Sequence, residues 1–571
     1  WDTSSCTNMT SMFGRYRKTL VFDQDIGSWD VGNVTNMYMM FGARRNSAYC
    51  SFNNGGSPSI SGWNTGKVTN MGEMFSSCHL FNQPIGSWDT SSATNMAGMF
   101  KYCTGFEEDL SNWDTSGVTS MNSMFQNCRS FNNSGSTGIG NWDTSSCTHM
   151  GSMFNNAHIF NQPIGDWDTS SVTHMGSMFD NAKAFNQPIG NWDTSQVTSM
   201  SYMFGPYRSV MVFDQDIGNW DVGNVTTMRQ MFGSRRSGGN VYPFNNGGSP
   251  SISGWNTGKV TDMQSMFHGT HLFNQPIGSW DVSSVANMVY TFSYCTGFDQ
   301  DLSNWQTSGV TDMLGTFRNC FSFNNGGSTG INNWDTSNVT RMYLTFNNAR
   351  SFNQPIGNWD VSNVTNMRDM FSDATGFNQP IGDWDTSAVT TMYAMFYRGF
   401  GDMTFDQDVG AWDVGNVTTM NRMFGTARDD SANRFNVFNN GGSSSISGWN
   451  TSNVTNFDSM FRNARIFNQP IGYWNTSSLT SINYMLRSAV SFEQDLSNWT
   501  VTGITSALGF LDYVTLSTTN YDSTLSGWSS QSVQNGVSIS FGNSQYSTAT
   551  GLAYRNALVS AGWTITDGGA V

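Results

Sequence analysis

Residues 160–192 read FNQPIGDWDTSSVTHMGSMFDNAKAFNQPIGNW, and the first eight letters return, with one change, as the last eight. Between Trp167 and Trp192 the apolar residues are Val172, Met175, Met178, Phe179, Ala182, Phe185 and Ile189. From Val to the second Phe the steps are three, three, one, three and three, which predicts one face of an amphipathic helix. The stretch around Trp is short, contains β-branched residues and is flanked by Gly and Asn-Gln-Pro. It predicts a strand of about four residues. Ser or Thr before the apolar stripe suits a helix N-cap.

The same unit fills most of the 571 residues. Trp recurs at 1, 29, 63, 88, 113, 142, 167, 192, 220, 255, 280, 305, 334, 359, 384, 412, 449, 474 and 499, most often 25 residues apart, with Trp528 and Trp563 outside the pattern. One unit cannot bury its own stripe, whereas stacked neighbours can. The expected fold is a repeat solenoid of α/β, leucine-rich-repeat-like class, with a parallel β-sheet on one side and short helices on the other.

The spacings carry a longer period. From Trp1 they run 28, 34, 25, 25, 29, 25, 25; from Trp192 they run 28, 35, 25, 25, 29, 25, 25; from Trp384 they begin 28, 37, 25, 25. FDQDIGSWDVGN near Trp29 returns as FDQDIGNWDVGN near Trp220 and FDQDVGAWDVGN near Trp412. Seven coils make a module, which divides the chain into 1–191, 192–383 and a partial 384–511. After Trp499 the stripe fails. Residues 512–571 predict helix, strand, helix and a last extended segment, a small α/β C-terminal cap. The chain opens on Trp1 with neither Met nor a signal peptide, which marks a processed or partial chain.

Charged residues are 12% and the net charge is −15, carried almost wholly by Asp. Abundant Met, Phe and Trp exclude disorder. The acidic balance disfavours nucleic acid. No apolar run reaches the 18 or so residues of a membrane helix.

The quoted repeats FNQPIGSWDTSSATNMAGMF (81–100) and SVTHMGSMFDNAKAFNQPIGNWDTS (171–195) resemble those of BspA-type bacterial surface proteins, relatives of leucine-rich repeats. The tail from Leu516 is similar to the segment that closes such arrays. The resemblance covers about residues 1–511 and implies a secreted or cell-surface, non-catalytic role in adhesion or surface structure. The seven-coil module and the insertions depart from the plain pattern.

Candidate sites fall in the departures. FNQPIG becomes FDQDIG, FDQDLS or FDQDVG with the pairs Asp23/Asp25, Asp214/Asp216, Asp299/Asp301 and Asp406/Asp408. Paired loop carboxylates can hold Ca²⁺, although the glycine-spaced consensus of a calcium loop is missing. The bland reading is an acidic loop paired with nearby Arg. The insertions gather Arg15, Tyr16, Arg17, Arg44, Arg45, Tyr207, Arg208, Arg235, Arg236, Tyr397 and Arg398. Arg and Tyr are favoured at protein interfaces. These residues are the expected contact points for self-association or another surface protein.

The Trp column and the Met pairs read as core, and the Asp after each Trp as closing an Asx turn. Cys78, Cys103, Cys128, Cys295 and Cys320 share one core phase. They read as buried thiols, with Cys78–Cys103, Cys103–Cys128 and Cys295–Cys320 near enough in the stack to bridge. The absence of CxxC argues against zinc. The six His make no triad, so no enzyme is expected. The leading expectation is an extracellular stalk, filament or surface layer built by the insertion loops. A glycan- or host-surface-binding module is the alternative. An ice- or mineral-facing array, suggested by Thr90, Thr115 and Thr144, is disfavoured because Val31, Val222 and Val282 share that slot.

Overall fold

The computed structural model describes residues 1–14, 20–43, 50–205, 210–234, 242–399, 403–426 and 436–571. They form two compact units, Trp1–Val285 and Ala286–Val571.

In the first unit the apolar stripe is core, as its phase requires. Val172, Met175, Met178, Phe179, Ala182, Phe185 and Ile189 are all fully buried. The helix expected between Val172 and Phe185 does not form. The segment folds as successive tight turns, with Met178 N–H donating to Met175 O at 3.1 Å, Ala182 to Phe179 at 2.9 Å and Phe185 to Ala182 at 3.1 Å. The amides between are taken by the next repeat: Ser177 N–H reaches Ser201 O and Phe179 N–H reaches Met203 O, each at 2.9 Å. An α-helix needs those amides for its own i→i−4 bonds.

The strand expected at Trp is absent too. Among the described residues, pairing between repeats is by single-residue parallel bridges such as His149↔His174 and His174↔Ser199. Ser177 and Asn181 adopt the left-handed conformation, with φ of 58° and 61°. Ser and Asn tolerate it because their short side chains hydrogen-bond locally. A run of tight turns and a helix both place apolar residues every three to four positions. The stripe alone could not separate them.

Aromatic rings fill the interior. Phe179 lies 4.0 Å from Phe185 within its repeat, 5.8 Å from Phe154 behind and 5.6 Å from Phe204 ahead. Each buried Phe contributes roughly 1.5–3 kcal/mol. Trp192 Nε1 donates to Ile164 O at 3.0 Å, and Trp88, Trp113, Trp142 and Trp167 make the same bond to the preceding repeat, whereas Nε1 of Trp63 and Trp255 is buried without a partner.

The second unit repeats this plan. Phe317 lies 4.0 Å from Phe323 and 5.6 Å from Phe346, and Trp334 stacks on Trp359 at 6.0 Å. The unit ends in two helices, α1 (Thr518–Ser529) and α2 (Gly551–Ser560). Two short strands, β1 (Ser538–Ser540) and β2 (Thr564–Thr566), pair in parallel with Ile539 opposite Ile565. The tail therefore follows the helix, strand, helix, extended order read from its sequence. Trp528 is not outside the pattern as its spacing suggested. It sits on α1, stacks on Trp499 at 6.4 Å and donates Nε1–H to Leu496 O at 2.8 Å.

Candidate functional site

The acidic pairs hold turns. In NNGG at 53–56, Asn54 is left-handed at φ 55° and Gly55 at φ 60°. This turns the amides of Asn53 and Gly55 back toward the preceding repeat. Asp23 Oδ1 accepts both, at 2.6 and 2.9 Å. An Asn at 23 would offer one acceptor and an unwanted NH₂, whereas a carboxylate is acceptor only. Asp25 Oδ1 accepts from Gly27 N–H at 2.9 Å and from the Ser59 hydroxyl at 2.5 Å. Between them lies Asn54, wholly buried, whose Oδ1 takes Ile26 N–H while its Nδ2 donates to Ser57 O and Ser59 Oγ.

The other pairs copy this clamp. Asp214 accepts from Asn245 and Gly247, Asp299 from Asn324 and Gly326, and Asp406 from Asn439 and Gly441. Asp216, Asp301 and Asp408 receive the buried Asn246, Asn325 and Asn440 at 3.3–3.5 Å. Glu107 accepts from Asn132 of NNSG. Glu493 takes the amide and hydroxyl of Ser517, which caps α1. The signal was in the sequence: every FDQD or FEED is followed, one repeat on, by FNNGG or FNNSG, and FEQD by α1. Among the described residues no three His, Cys, Asp or Glu side chains converge as a metal cage would require.

The Ser59 hydroxyl and the Gly27 amide hold Asp25 at about 2. A carboxylate whose folded pKa is depressed contributes stability present above its unfolded value, near 3.9, and lost as pH falls through the folded one. Protection of the Gly27 amide, which donates to Asp25, is therefore expected to fall between about pH 4 and pH 2. Protection that stays flat across that window in hydrogen exchange would refute the clamp.

The Thr columns carry no free face at the expected slot. Thr90, Thr115 and Thr144 are buried at 1% exposure, and their hydroxyls donate to Asp114, Asp143 and Asp168 carbonyls at 2.8 Å. The residues that suggested an ice- or mineral-facing array point inward. The NVT asparagines also have inward work: Asn33 and Asn224 donate Nδ2–H to Ser4 O and Ser195 O of the preceding repeat. The Asp after Trp closes its Asx turn as read, with Asp168 Oδ1 accepting Ser170 N–H at 3.0 Å and its hydroxyl at 2.6 Å.

Cys78 is bonded to Cys50, near the end of the inserted stretch at 42–51, not to Cys103. Cys103, Cys128 and Cys320 are buried thiols whose S–H groups meet the carbonyls of Phe75, Phe100 and Phe292. Burial pushes the thiols up, away from the reactive thiolate. His149 and His174 stack at 4.9 Å on the exposed surface.

Of the insertion residues, Arg15, Tyr16, Arg17, Arg44, Arg45, Tyr207, Arg208, Arg235 and Arg236 lie outside the described residues. Tyr397 is half-buried, with the Arg422 guanidinium 5.6 Å from its ring. Arg398 is 6% exposed and its N–H donates to Gly425 O, which removes it from the exposed surface where it was expected.

A family described as "Mycoplasma protein of unknown function, DUF285" matches six overlapping segments: 1–54, 46–137, 133–244, 240–329, 325–438 and 430–550. The chain belongs to this tandem-repeat family. No curated protein matches it. Among the described residues no helix is long and apolar enough to cross a membrane.

Proposed function

We propose that this DUF285 protein is a non-catalytic structural or adhesive solenoid of the cell surface, related to the leucine-rich-repeat-like BspA-type proteins. It works as a scaffold that builds a stalk, filament or surface layer through protein contacts of its insertions. One observation carries this reading: the polar side chains that recur are engaged with the neighbouring repeat. Trp Nε1 in most repeats, Thr Oγ1, the NVT Asn and the acidic pairs bond one repeat away. Such ladders repeat the same group many times, whereas catalysis needs one unique constellation. The Cys50–Cys78 bond suits an oxidising, extracellular setting. Repeats of one kind give reach and many equal contacts. A saturable glycan-binding surface is the second reading, favoured by the exposed Tyr473 and Tyr513.

Negative-stain imaging of the purified protein tests this. Ordered filaments or layers are expected, and deletion of 44–49 together with 235–241 is expected to disperse them. Dispersed wild-type particles with saturable binding on a glycan array would overturn the reading. Order that survives the deletion would remove the insertions as the contacts.

A further inference from the structure

One pair of exposed side chains belongs to no ladder. In the first unit the single-residue parallel bridges run through Asn95, Ser120, His149, His174, Ser199 and Thr227, one from each repeat. Short polar residues serve this bridge on either side of the two His, so the fold does not ask for imidazole there. The seven-coil module does not ask for it either: one module on, the same two positions carry Arg341 and Asn366. The groups that recur are occupied in joining repeats, whereas this pair is singular.

The two rings are nearly parallel, with centroids 4.9 Å apart and planes 11° apart. Their hydrogen bonds decide the tautomer. Thr148 Oγ1 donates its proton to Thr119 O at 3.1 Å, and Thr173 Oγ1 donates to Thr148 O at 3.2 Å. Each hydroxyl oxygen is left as an acceptor, and each lies 2.8 Å from Nδ1 of the His that follows it. Nδ1 therefore carries the proton in both rings, and both Nε2 atoms keep their lone pairs. The same Nδ1 bond on parallel rings puts the two Nε2 atoms side by side, on residues that are exposed. Metal-ligating imidazoles are oriented in this way, by donating the other ring N–H to a fixed oxygen.

The flanks of the rings are clear. Two residues beyond each His stands a glycine, Gly151 and Gly176. That slot lies beside the bridge column: a Cβ added at Gly72, its counterpart in an earlier repeat, would come 2.9 Å from the Asn95 side chain and 3.2 Å from that of Asn70. Two imidazole nitrogens on one tetrahedral ion lie about 3.4 Å apart, given bonds of about 2.1 Å. The outer edges of the rings must therefore lean together by about 1.5 Å. Small side-chain rotations supply this where the rings are exposed and no Cβ stands beside them.

We propose that His149 and His174 chelate one divalent transition-metal ion of the zinc, nickel and copper class through their Nε2 atoms. Imidazole suits these ions, whereas Ca²⁺ and Mg²⁺ take oxygen ligands. Two protein ligands leave the remaining positions to water, so the site is open and exchangeable rather than a structural cage. The net charge of −15 favours the approach of a cation. The site stands whether or not the chain assembles into a scaffold.

Isothermal titration of the full chain with zinc chloride alone tests it. Wild type is expected to take up one ion at this site. H149S and H174S are each expected to weaken that uptake roughly tenfold or more, because either one ends chelation. H149S/H174S is expected to lose the site. Serine already stands in this column at Ser120 and Ser199, so all three variants should keep the wild-type melting midpoint in the absence of metal. Equal Zn²⁺ uptake by wild type and H149S/H174S would overturn the proposal, and so would a wild type that takes up no Zn²⁺.

Discussion

Phe179→Ala is expected to remove about 3–5 kcal/mol from the first unit, the usual cost of emptying a fully buried Phe site. The ring touches its own repeat and both neighbours. It lies 4.0 Å from Phe185, 5.8 Å from Phe154, 5.6 Å from Phe204 and 6.1 Å from Trp192. The site cannot collapse, because each neighbouring ring is held in its own column by the next one. Stability in such an array is a sum of intrinsic and nearest-neighbour terms, so the loss is local to adjoining repeats. Urea unfolding followed by Trp fluorescence is expected to broaden and to begin at lower denaturant. An unchanged transition would mean that the column is not the core.

Asn246→Ala is expected to cost about 2–4 kcal/mol, comparable with one lost core ring, through polar groups alone. Asn246 is fully buried. Its Oδ1 accepts Ile217 N–H at 2.9 Å, and its Nδ2 donates to Ser249 O at 2.8 Å and Ser251 Oγ at 2.9 Å. Alanine would leave a buried amide and a carbonyl without partners, each costing about 1–3 kcal/mol. Asp216 would lose a donor and keep the Ser251 hydroxyl. Thermal unfolding monitors the effect, with Asn245→Ala nearby as a contrast: Asn245 is only half-buried, and its outward acceptor serves Asn274 and Gln275. Equal midpoints for wild type and Asn246→Ala would contradict the clamp.

How much of this could be read in the sequence depended on what the pattern encodes. The Trp and Phe columns were legible because burial imposes a strict period, and every residue of the 167–192 stripe is core. The helix was not excluded, because apolar spacing reports which residues face inward and not where the amides go. Here Ser177 and Phe179 give theirs to the next repeat. Left-handed Ser177 and Asn181 were the missed clue, since Ser and Asn recur at those slots in repeat after repeat. The tail was read correctly as helix, strand, helix, but Trp528 entered the column from α1 at a longer spacing. The acidic pairs were legible as a motif, whereas their donors, which come from the segment inserted one repeat later, were not. The co-occurrence of FDQD with the following FNNGG was visible, but the left-handed Gly55 that makes it necessary was not.

The central claim is that each repeat is held by its neighbours, amide by amide. Hydrogen exchange on the Phe179→Ala protein, resolved to single amides, tests it most directly. Met150, Ser152, Phe154 and Asn156 donate to residues 174–180 of the altered repeat. Their protection is expected to fall together, while amides at 69–81 keep wild-type protection. Protection that falls only within the altered repeat, or uniformly through the unit, would contradict the claim.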